Sequence, residues 1–482
     1  MNMVTFHHTS AAALCHTLPT LHTDILTMCA SIASTHSDPS MRAAKVAGRT
    51  GPRSKKTATQ EKLALYSIQA SPHIVRIQRV GLFTNEKMTA GNKRMVMLPE
   101  EMITEVLVRL PVKSILRFRA VCRRWAALAS SEEFCAAKEA AGSATEPATK
   151  LLFLSSTARH DSTEVRSSDD EGSCTPLLTL TGMRGDSAST TSTPCRGLTL
   201  LHDPDSGFHV LNAATRAVTM LPPCQDKILR STTAGLGFDG KTKECKVVRL
   251  FPGDGETPRE AFTRARCEVY TLGGDLWRSI SVESVPSKFA GAALSGAVCH
   301  NLAPVYADGF LHWLIHPRFH FATRPAAAVL SFSVADETFS WVRPPPFDWE
   351  GAHLTELDGR LCMVREDHPR VSVLIWLEVW KLGADDGGWS LEHRVDWLRL
   401  VRNTGYLHVV PRYVRVVGKQ GKKVVLATSF GRVFAYDPMY QTLELILQLE
   451  GIPRVDVERP VTTISLFKER LTPVQRHSAK QQ

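Results

Sequence analysis

Three stretches of the chain have residue types and spacings that bear on chemistry. Gly235-Leu-Gly-Phe-Asp-Gly240-Lys241-Thr242 fits the glycine-rich pattern whose backbone N–H groups cradle phosphate while a lysine reaches its oxygens. That chemistry needs a buried strand before the loop and a helix after it, so that the helix N-terminus meets the phosphate. Arg230-Ser-Thr-Thr precedes this loop and Cys245-Lys-Val-Val-Arg-Leu250 follows with strand character, so a hairpin turn is expected instead. His312, His316 and His320 stand four residues apart, a spacing that on a helix gathers imidazoles around a metal. Pro317 breaks any such helix, and Phe310 to Leu314 reads as strand, so no metal site is expected. Arg184-Gly-Asp186 resembles an adhesion tripeptide but reads as a chance loop. No G-x-S-x-G or H-E-x-x-H pattern occurs, and no carboxylate pair stands out by spacing. No catalytic centre, cofactor or metal is therefore expected.

The chain has 482 residues, enough for more than one domain and a large core. Its eleven cysteines are scattered without a C-x-x-C pair, the usage of a reducing compartment. A cytoplasmic or nuclear location is expected. No apolar run approaches the length that spans a bilayer, so no membrane partner is expected. The formal net charge of +10 is unevenly spread. Residues 41–94 hold twelve Lys and Arg against Glu61 and Glu86, a net of +10, and residues 1–40 carry −2. Residues 95–482 are left at +2, which does not point to a nucleic-acid face. Residues 1–94 read as a disordered basic extension, with a cluster at Arg49, Arg53, Lys55 and Lys56 and one stray strand through Ile74, Val75, Ile77, Val80 and Leu82.

A distinct helical stretch runs from Leu98 to Phe134. Pro99 suits a first helical position, and Glu100 and Glu101 place negative charge at the positive end of the helix dipole. Ile103, Val106, Leu107 and Leu110 recur at helical spacing as one apolar stripe. Leu110-Pro111 ends that helix. A second helix fits Val112 to Arg119, and a third carries Val121, Trp125 and Leu128. Three helices in so few residues make a small core that is marginal alone. Leu98, Pro99, Met102, Val106, Leu110, Pro111, Leu116 and Val121 are too many apolar residues to point inward together, and a leftover apolar face marks a binding surface.

The stretch closely resembles the F-box, the module that docks substrate receptors onto the Skp-type adaptor of SCF ubiquitin ligases. Leu98-Pro99-Glu100, Glu105-Val106-Leu107, Arg109-Leu110-Pro111, Lys113-Ser114, Arg117-Phe118-Arg119, Val121-Cys122, Trp125 and Phe134 carry the likeness. The resemblance implies an adaptor-facing surface built from Leu98, Pro99, Val106, Leu110, Pro111, Leu116, Val121, Cys122 and Trp125. It also implies a cullin bound through the adaptor.

After a linker at 139–149 the periodicity changes to short alternating strands with turn residues. Five strand–turn–strand units recur: Val210 to Leu221, Val269 to Ile280, Val329 to Val342, Ile375 to Leu391 and Val433 to Leu445. Their spacing of about fifty to sixty residues is near that of kelch-type propeller blades. A sixth unit is expected near 151–181. Eight of the nine tryptophans lie in this half, which suits packed positions between blades. Trp277, Trp341, Trp380 and Phe434 are expected to be buried there.

RGLTLLHDP, NAATRAVTMLPP, GLGFDGKTKECKVVRLF, CEVYTLGGDLWRSI and VYADGFLHWL, in that order, resemble the F-box-associated interaction domain of the large plant F-box families. VLSFSVADETFSWV and VFAYDP continue the likeness. The expected protein is an α+β multidomain chain. A three-helix F-box at 95–138 precedes an all-β, propeller-like domain of about six blades at 150–467, with a disordered tail at 468–482. The expected function is that of an SCF substrate receptor without catalytic activity, binding an unidentified target protein through the β-domain. The alternative is a ligand- or carbohydrate-binding propeller, possibly enzymatic, with a vestigial F-box.

Overall fold

The computed structural model describes residues 63–71, 74–83, 100–141 and, apart from several loops, 149–474. The chain divides into two compact units, residues 1–146 and 147–482.

In the first unit, β1 (Leu63–Ser71) and β2 (Ile74–Phe83) form an antiparallel hairpin. The strand expected near Ile74 is thus present, with a partner strand that the sequence pattern did not suggest. The rest of the basic extension lies outside the described residues. Four helices follow: α1 (Glu100–Val108), α2 (Val112–Phe118), α3 (Arg123–Leu128) and α4 (Glu132–Ala141). The third begins at Arg123 rather than Val121, because Cys122 is extended and acts as its N-cap residue. The fourth runs into the span expected as linker. Its first turn is capped by Ser131, whose Oγ accepts from Phe134 N at 3.1 Å. Ile103, Leu107, Ile115, Trp125, Ala129 and Phe134 are buried together as the small core of this unit.

The second unit is a six-bladed β-propeller of four-stranded antiparallel sheets. From inner to outer strand, the second blade is β6 (Ser189–Thr190), β7 (Leu198–Asp203), β8 (Gly207–Asn212) and β9 (Ala217–Met220). The third is β10 (Thr233–Phe238), β11 (Cys245–Phe251), β12 (Arg266–Thr271) and β13 (Arg278–Ser279). The fourth is β14 (Val305–Ala307), β15 (Phe310–Leu314), β16 (Val329–Ser333) and β17 (Phe339–Val342). The fifth is β18 (His353–Leu357), β19 (Arg360–Asp367), β20 (Trp376–Leu382) and β21 (Trp389–Asp396). The sixth is β22 (Val414–Gln420), β23 (Lys423–Thr428), β24 (Arg432–Asp437) and β25 (Thr442–Gln448). The first blade joins the two ends of the domain: β26 (Thr462–Lys468) is its inner strand, followed by β3 (Thr149–Ser156), β4 (Ser162–Ser168) and β5 (Cys174–Thr181).

The five units visible in the sequence are the two outer strands of blades two to six. Two of their turns share a physical device. Asn212 and Asp437 each accept, through Oδ1, the N–H groups two and three residues further on. Asp203 and Asp239 do the same in turns joining other strand pairs. The side chain stands in for a backbone acceptor while the chain reverses. Four residues on, Gly207, Arg216, Lys243 and Gln441 each adopt a left-handed conformation.

Between the blades, Trp277 is 1 % exposed, with its indole N–H donating to Pro222 O at 2.9 Å and its ring packed on Tyr270 and Phe208. Phe434 is buried as expected. Trp380 is half-buried against Phe347. Trp341 departs from expectation at 54 % exposed, because it sits on the outermost strand of its blade, where no further strand covers it. The segment after β26, expected as a disordered tail, is packed as far as Val474, with Leu471 buried and Val474 against the core of blades two and three.

Trp277→Ala is expected to destabilise the ring by about 3–5 kcal/mol, and Trp341→Ala by less than about 1 kcal/mol, measured by denaturant unfolding. Burial drives the imidazole pKa of His202 and His312 down to about 4 and that of His353 down to about 3. Their ordinary value is about 6.5, so between pH 6.5 and 4 the unfolded chain binds protons that the folded ring refuses. Stability is therefore complete above pH 6.5 and falls as the pH drops towards 4. Each of these groups removes about 1.4 kcal/mol for every pH unit crossed in that window. His353 Nε2 accepts from Val416 N at 3.2 Å, a role a glutamine carbonyl can fill. Melting temperature against pH should fall less steeply in His353→Gln than in the native chain.

Candidate functional site

In the helical unit, α1 tightens at its end, with Arg109 N and Leu110 N donating to the carbonyls of Val106 and Leu107. Pro111 then starts α2 by accepting from Ser114 and Ile115 through its carbonyl. This sharp link leaves Pro111 exposed and Leu110 half-buried. Val106, one turn before Leu110, and Leu116 on α2 are also half-buried. Val121 is 38 % exposed in the extended link to α3, and Cys122 beside it is half-buried. Val106, Leu110, Pro111, Leu116, Val121 and Cys122 thus keep apolar surface in water after the small core is filled.

Trp125 does not belong with them. It is 2 % exposed and meets Phe118 edge-on at 5.4 Å between centroids, so it builds the core behind the face rather than presenting itself on it. Helical spacing places Trp125 on the buried side of α3, where it shares the small core with Phe134. Leu98 and Pro99 lie outside the described residues. Glu105 and Arg109 pair one turn apart on the exposed side of α1.

In the ring, antiparallel order fixes which connections share an end. The links joining the two central strands of a blade, and those joining one blade to the next, emerge at the same end. There lie the long loops and the three α-helices described in this unit: α5 (Pro258–Thr263), α6 (Ser287–His300) and α7 (Trp397–Asn403). None of these helices was foreseen; the alanine- and glycine-rich run of α6 was the available signal. Gly291 is required in α6 because a Cβ there would sit 2.4 Å from Phe262 O. The opposite end carries short turns braced by charge. Arg360 pairs with Asp308 at 2.7 Å across blades four and five, and Lys419 pairs with Asp358 across blades five and six.

The most buried charges pair with one another inside blade three and across to blade four. Arg249 and Glu268 pair at 3.0 Å inside blade three, essentially without exposure. Lys246 bridges Asp239 at 2.8 Å and Glu337 at 3.0 Å, joining blades three and four, and Arg278 reaches Glu337 at 2.7 Å. Burial opposes ionisation here, yet the Lys246 hydrogen bond holds the Asp239 carboxyl far below its usual range. These groups are paired to one another, which is a structural role.

The phosphate-loop pattern dissolves into this architecture. Gly235 and Gly237 lie in strand β10 and the next strand begins at Cys245, so no helix follows. Cβ atoms at Gly235 and Gly237 would come within 2.6 Å of Leu311 and Val334 side chains, so the glycines serve close blade packing. His312 lies in strand β15, bonded to Ser331 Oγ at 2.8 Å, and His316 is buried beyond it. His320 and Arg184-Gly-Asp186 lie outside the described residues. Among the described residues no cluster of three metal-ligating side chains occurs. No helix among them is long and apolar enough to cross a membrane.

A four-helix module followed in sequence by a closed six-bladed ring is the architecture of a two-domain chain. Comparison with known families agrees: an F-box domain matches residues 95–136, and an F-box associated beta propeller domain matches residues 162–431. The second match spans more than half of the sequence, and the chain belongs to the F-box-associated β-propeller family. An F-box/LRR-repeat/kelch-repeat protein of Arabidopsis thaliana is 26 % identical over 300 residues, covering 58 % of this chain and 73 % of that protein. An F-box protein of the same plant is 23 % identical over 369 residues, covering 70 % and 88 %. Among solved structures, an oligogalacturonate lyase in complex with manganese aligns with a TM-score of 0.35 at 10 % identity, covering 64 % of this chain and 82 % of that one, which carries nothing about chemistry.

Trp125→Ala should unfold the helical unit, costing about 3–5 kcal/mol. Val121→Ala should change its stability by no more than about 0.5 kcal/mol. Limited proteolysis of the two variants, read at α1–α4, distinguishes them.

Proposed function

We propose that this protein is a substrate receptor of an SCF-type ubiquitin ligase. The F-box docks on a Skp-type adaptor, and through it on a cullin, while the ring holds a target protein. The observation that carries this reading is the apolar surface left over on a recognised F-box, at Val106, Leu110, Pro111, Leu116, Val121 and Cys122. A module of this size gains little stability from its own core, and covering that surface supplies the missing burial. The family resemblance adds Leu98 and Pro99 to the docking residues, and Trp125 supports the apolar face from behind.

The chain itself performs no bond chemistry. Its contribution is proximity: a target held on the ring has its lysines at high effective concentration near the ubiquitin-charged enzyme. The long-loop end of the ring is the target-binding end. Loops there are free to vary on a rigid scaffold, and the short-turn end is committed to bracing the blades. The protein acts in the cytoplasm or nucleus, where the adaptor and ubiquitin system operate.

Replacing Leu98, Pro99, Leu110 and Pro111 together by alanine should abolish co-purification of the adaptor. Each apolar side chain buried in the contact contributes about 1.5–3 kcal/mol. Melting of the ring should not change. Undiminished adaptor capture by the quadruple variant would refute the docking claim.

A further inference from the structure

Blade one is closed differently from the other five. In blades two to six a link of two to seven residues joins the inner strand to the second strand. In blade one no such link joins β26 to β3; their pairing rests on the ladder from Thr462 opposite Ser155 to Lys468 opposite Thr149. A strand held to its neighbour in this way can come away without the reversal of any turn, as a local opening that leaves the other blades intact. At the end of β26 the Lys150–Glu469 pair at 3.2 Å, almost out of water, ties the chain to blade one.

The chain then crosses onto the second blade. Cys195 and Leu198 exchange two backbone hydrogen bonds of 2.9 Å and close the turn that enters β7. Gly197 in that turn has φ of 80°, and a Cβ there would meet Lys468 O and Arg470 Cβ, each at 2.9 Å, so glycine lets the crossing segment lie close. Asn212, fully buried, makes hydrogen bonds with both its oxygen and its nitrogen at this crossing. Its Oδ1 accepts from Ala214 N and Thr215 N and forms the turn between β8 and β9. Its Nδ2 donates to Arg470 O at 3.1 Å and to Thr472 O at 2.7 Å. Thr472 Oγ1 donates to Arg196 O at 2.6 Å. Leu471 is buried, and Val474 packs on the cluster that contains Cys195, Leu198 and Trp277. Residues 470–474 are thus fastened to blades two and three, immediately after the strand that closes blade one. Fastening them there keeps β26 at high local concentration beside β3.

We propose that residues 469–474 are a strap that governs opening of the ring at this seam. While the strap is seated, β26 stays paired with β3. When it lifts, β26 leaves before any other blade unfolds. The ring then has one defined place of opening, controlled from the second blade, where Asn212 serves both the turn and the strap. The strap belongs to the ring alone, so it stands or falls independently of adaptor docking.

The test is backbone hydrogen exchange on the full chain, read by mass spectrometry over peptides that cover β26 and β3, with β15 and β16 of blade four as the internal reference. Thr472→Val removes one hydrogen bond of the strap at nearly constant shape. It should speed exchange in β26 and β3 by roughly two- to tenfold, the net worth of one such bond. Asn212→Asp keeps the oxygen that forms the turn, the part Asp437 plays in blade six, but sets an acceptor against two carbonyls. It should speed exchange at the seam further. In both variants β15 and β16 should exchange at the native rate. The proposal is overturned if β26 and β3 exchange as slowly in both variants as in the native chain. It is equally overturned if blade four speeds up as much as the seam, since the strap would then contribute to global stability alone.

Discussion

Strand β26 pairs with β3 residue by residue, from Thr462 opposite Ser155 to Lys468 opposite Thr149, and the ring depends on that seam. The last strand of the domain becomes the inner strand of a blade whose other three strands come from its beginning. Without it, the inner edge of β3 would expose unpaired N–H and C=O groups, the hazard that a closed ring avoids. Closure also explains the packing that follows. The Lys150–Glu469 pair at 3.2 Å lies just past the seam, and Leu471 and Thr472 continue onto the second blade. Residues more than 250 positions apart in sequence, such as Asn212 and Thr472, are in direct hydrogen bond because the ring is shut.

Buried charge follows the same logic of holding neighbours in register. An apolar interface between blades tolerates sliding, whereas Lys246 placed between Asp239 and Glu337 fixes blade three against blade four. Ion pairs this buried add little net stability, because desolvation consumes the attraction. Losing one partner is costly, however, since the other charge is left stranded. The network therefore acts more on the geometry of the ring than on its total stability. Exposed pairs at the other blade junctions, such as Arg360 with Asp308, contribute less still.

The legible parts of the sequence are those in which local physics and tertiary structure agree. Asn212-Ala-Ala-Thr and Asp437-Pro-Met carry turn acceptors between alternating strands, and both are turns in the ring. The apolar stripe and Leu110-Pro111 stop of the first helix are equally local, and so is the F-box pattern. The features that escaped depend on distant partners. β26 reads as an ordinary strand, and its position beside β3 cannot be inferred from its own residues. Trp341 and Trp277 look alike in sequence; one lies on an outermost strand and the other is enclosed by the carbonyl of Pro222 and two rings. Trp125 shares a motif with exposed neighbours and is nonetheless core, because motif membership does not encode which side of a short helix faces inward.

The division between the two ends of the ring follows from what each end must do. Short turns leave little freedom: their residues have left-handed backbones, turn acceptors and pairs to adjacent blades, so most substitutions there disturb closure. Links at the opposite end are relieved of that duty, because each blade is already tied to the next through its inner strands and at its short turns. They can lengthen and accept helices such as α5, α6 and α7 at a small entropic cost. A scaffold that closes independently of its loops lets those loops change partner without changing the fold. For that reason the fold is readable from turn chemistry and periodicity, whereas the target proposed for the loops is not, since recognition of it would reside in their side chains.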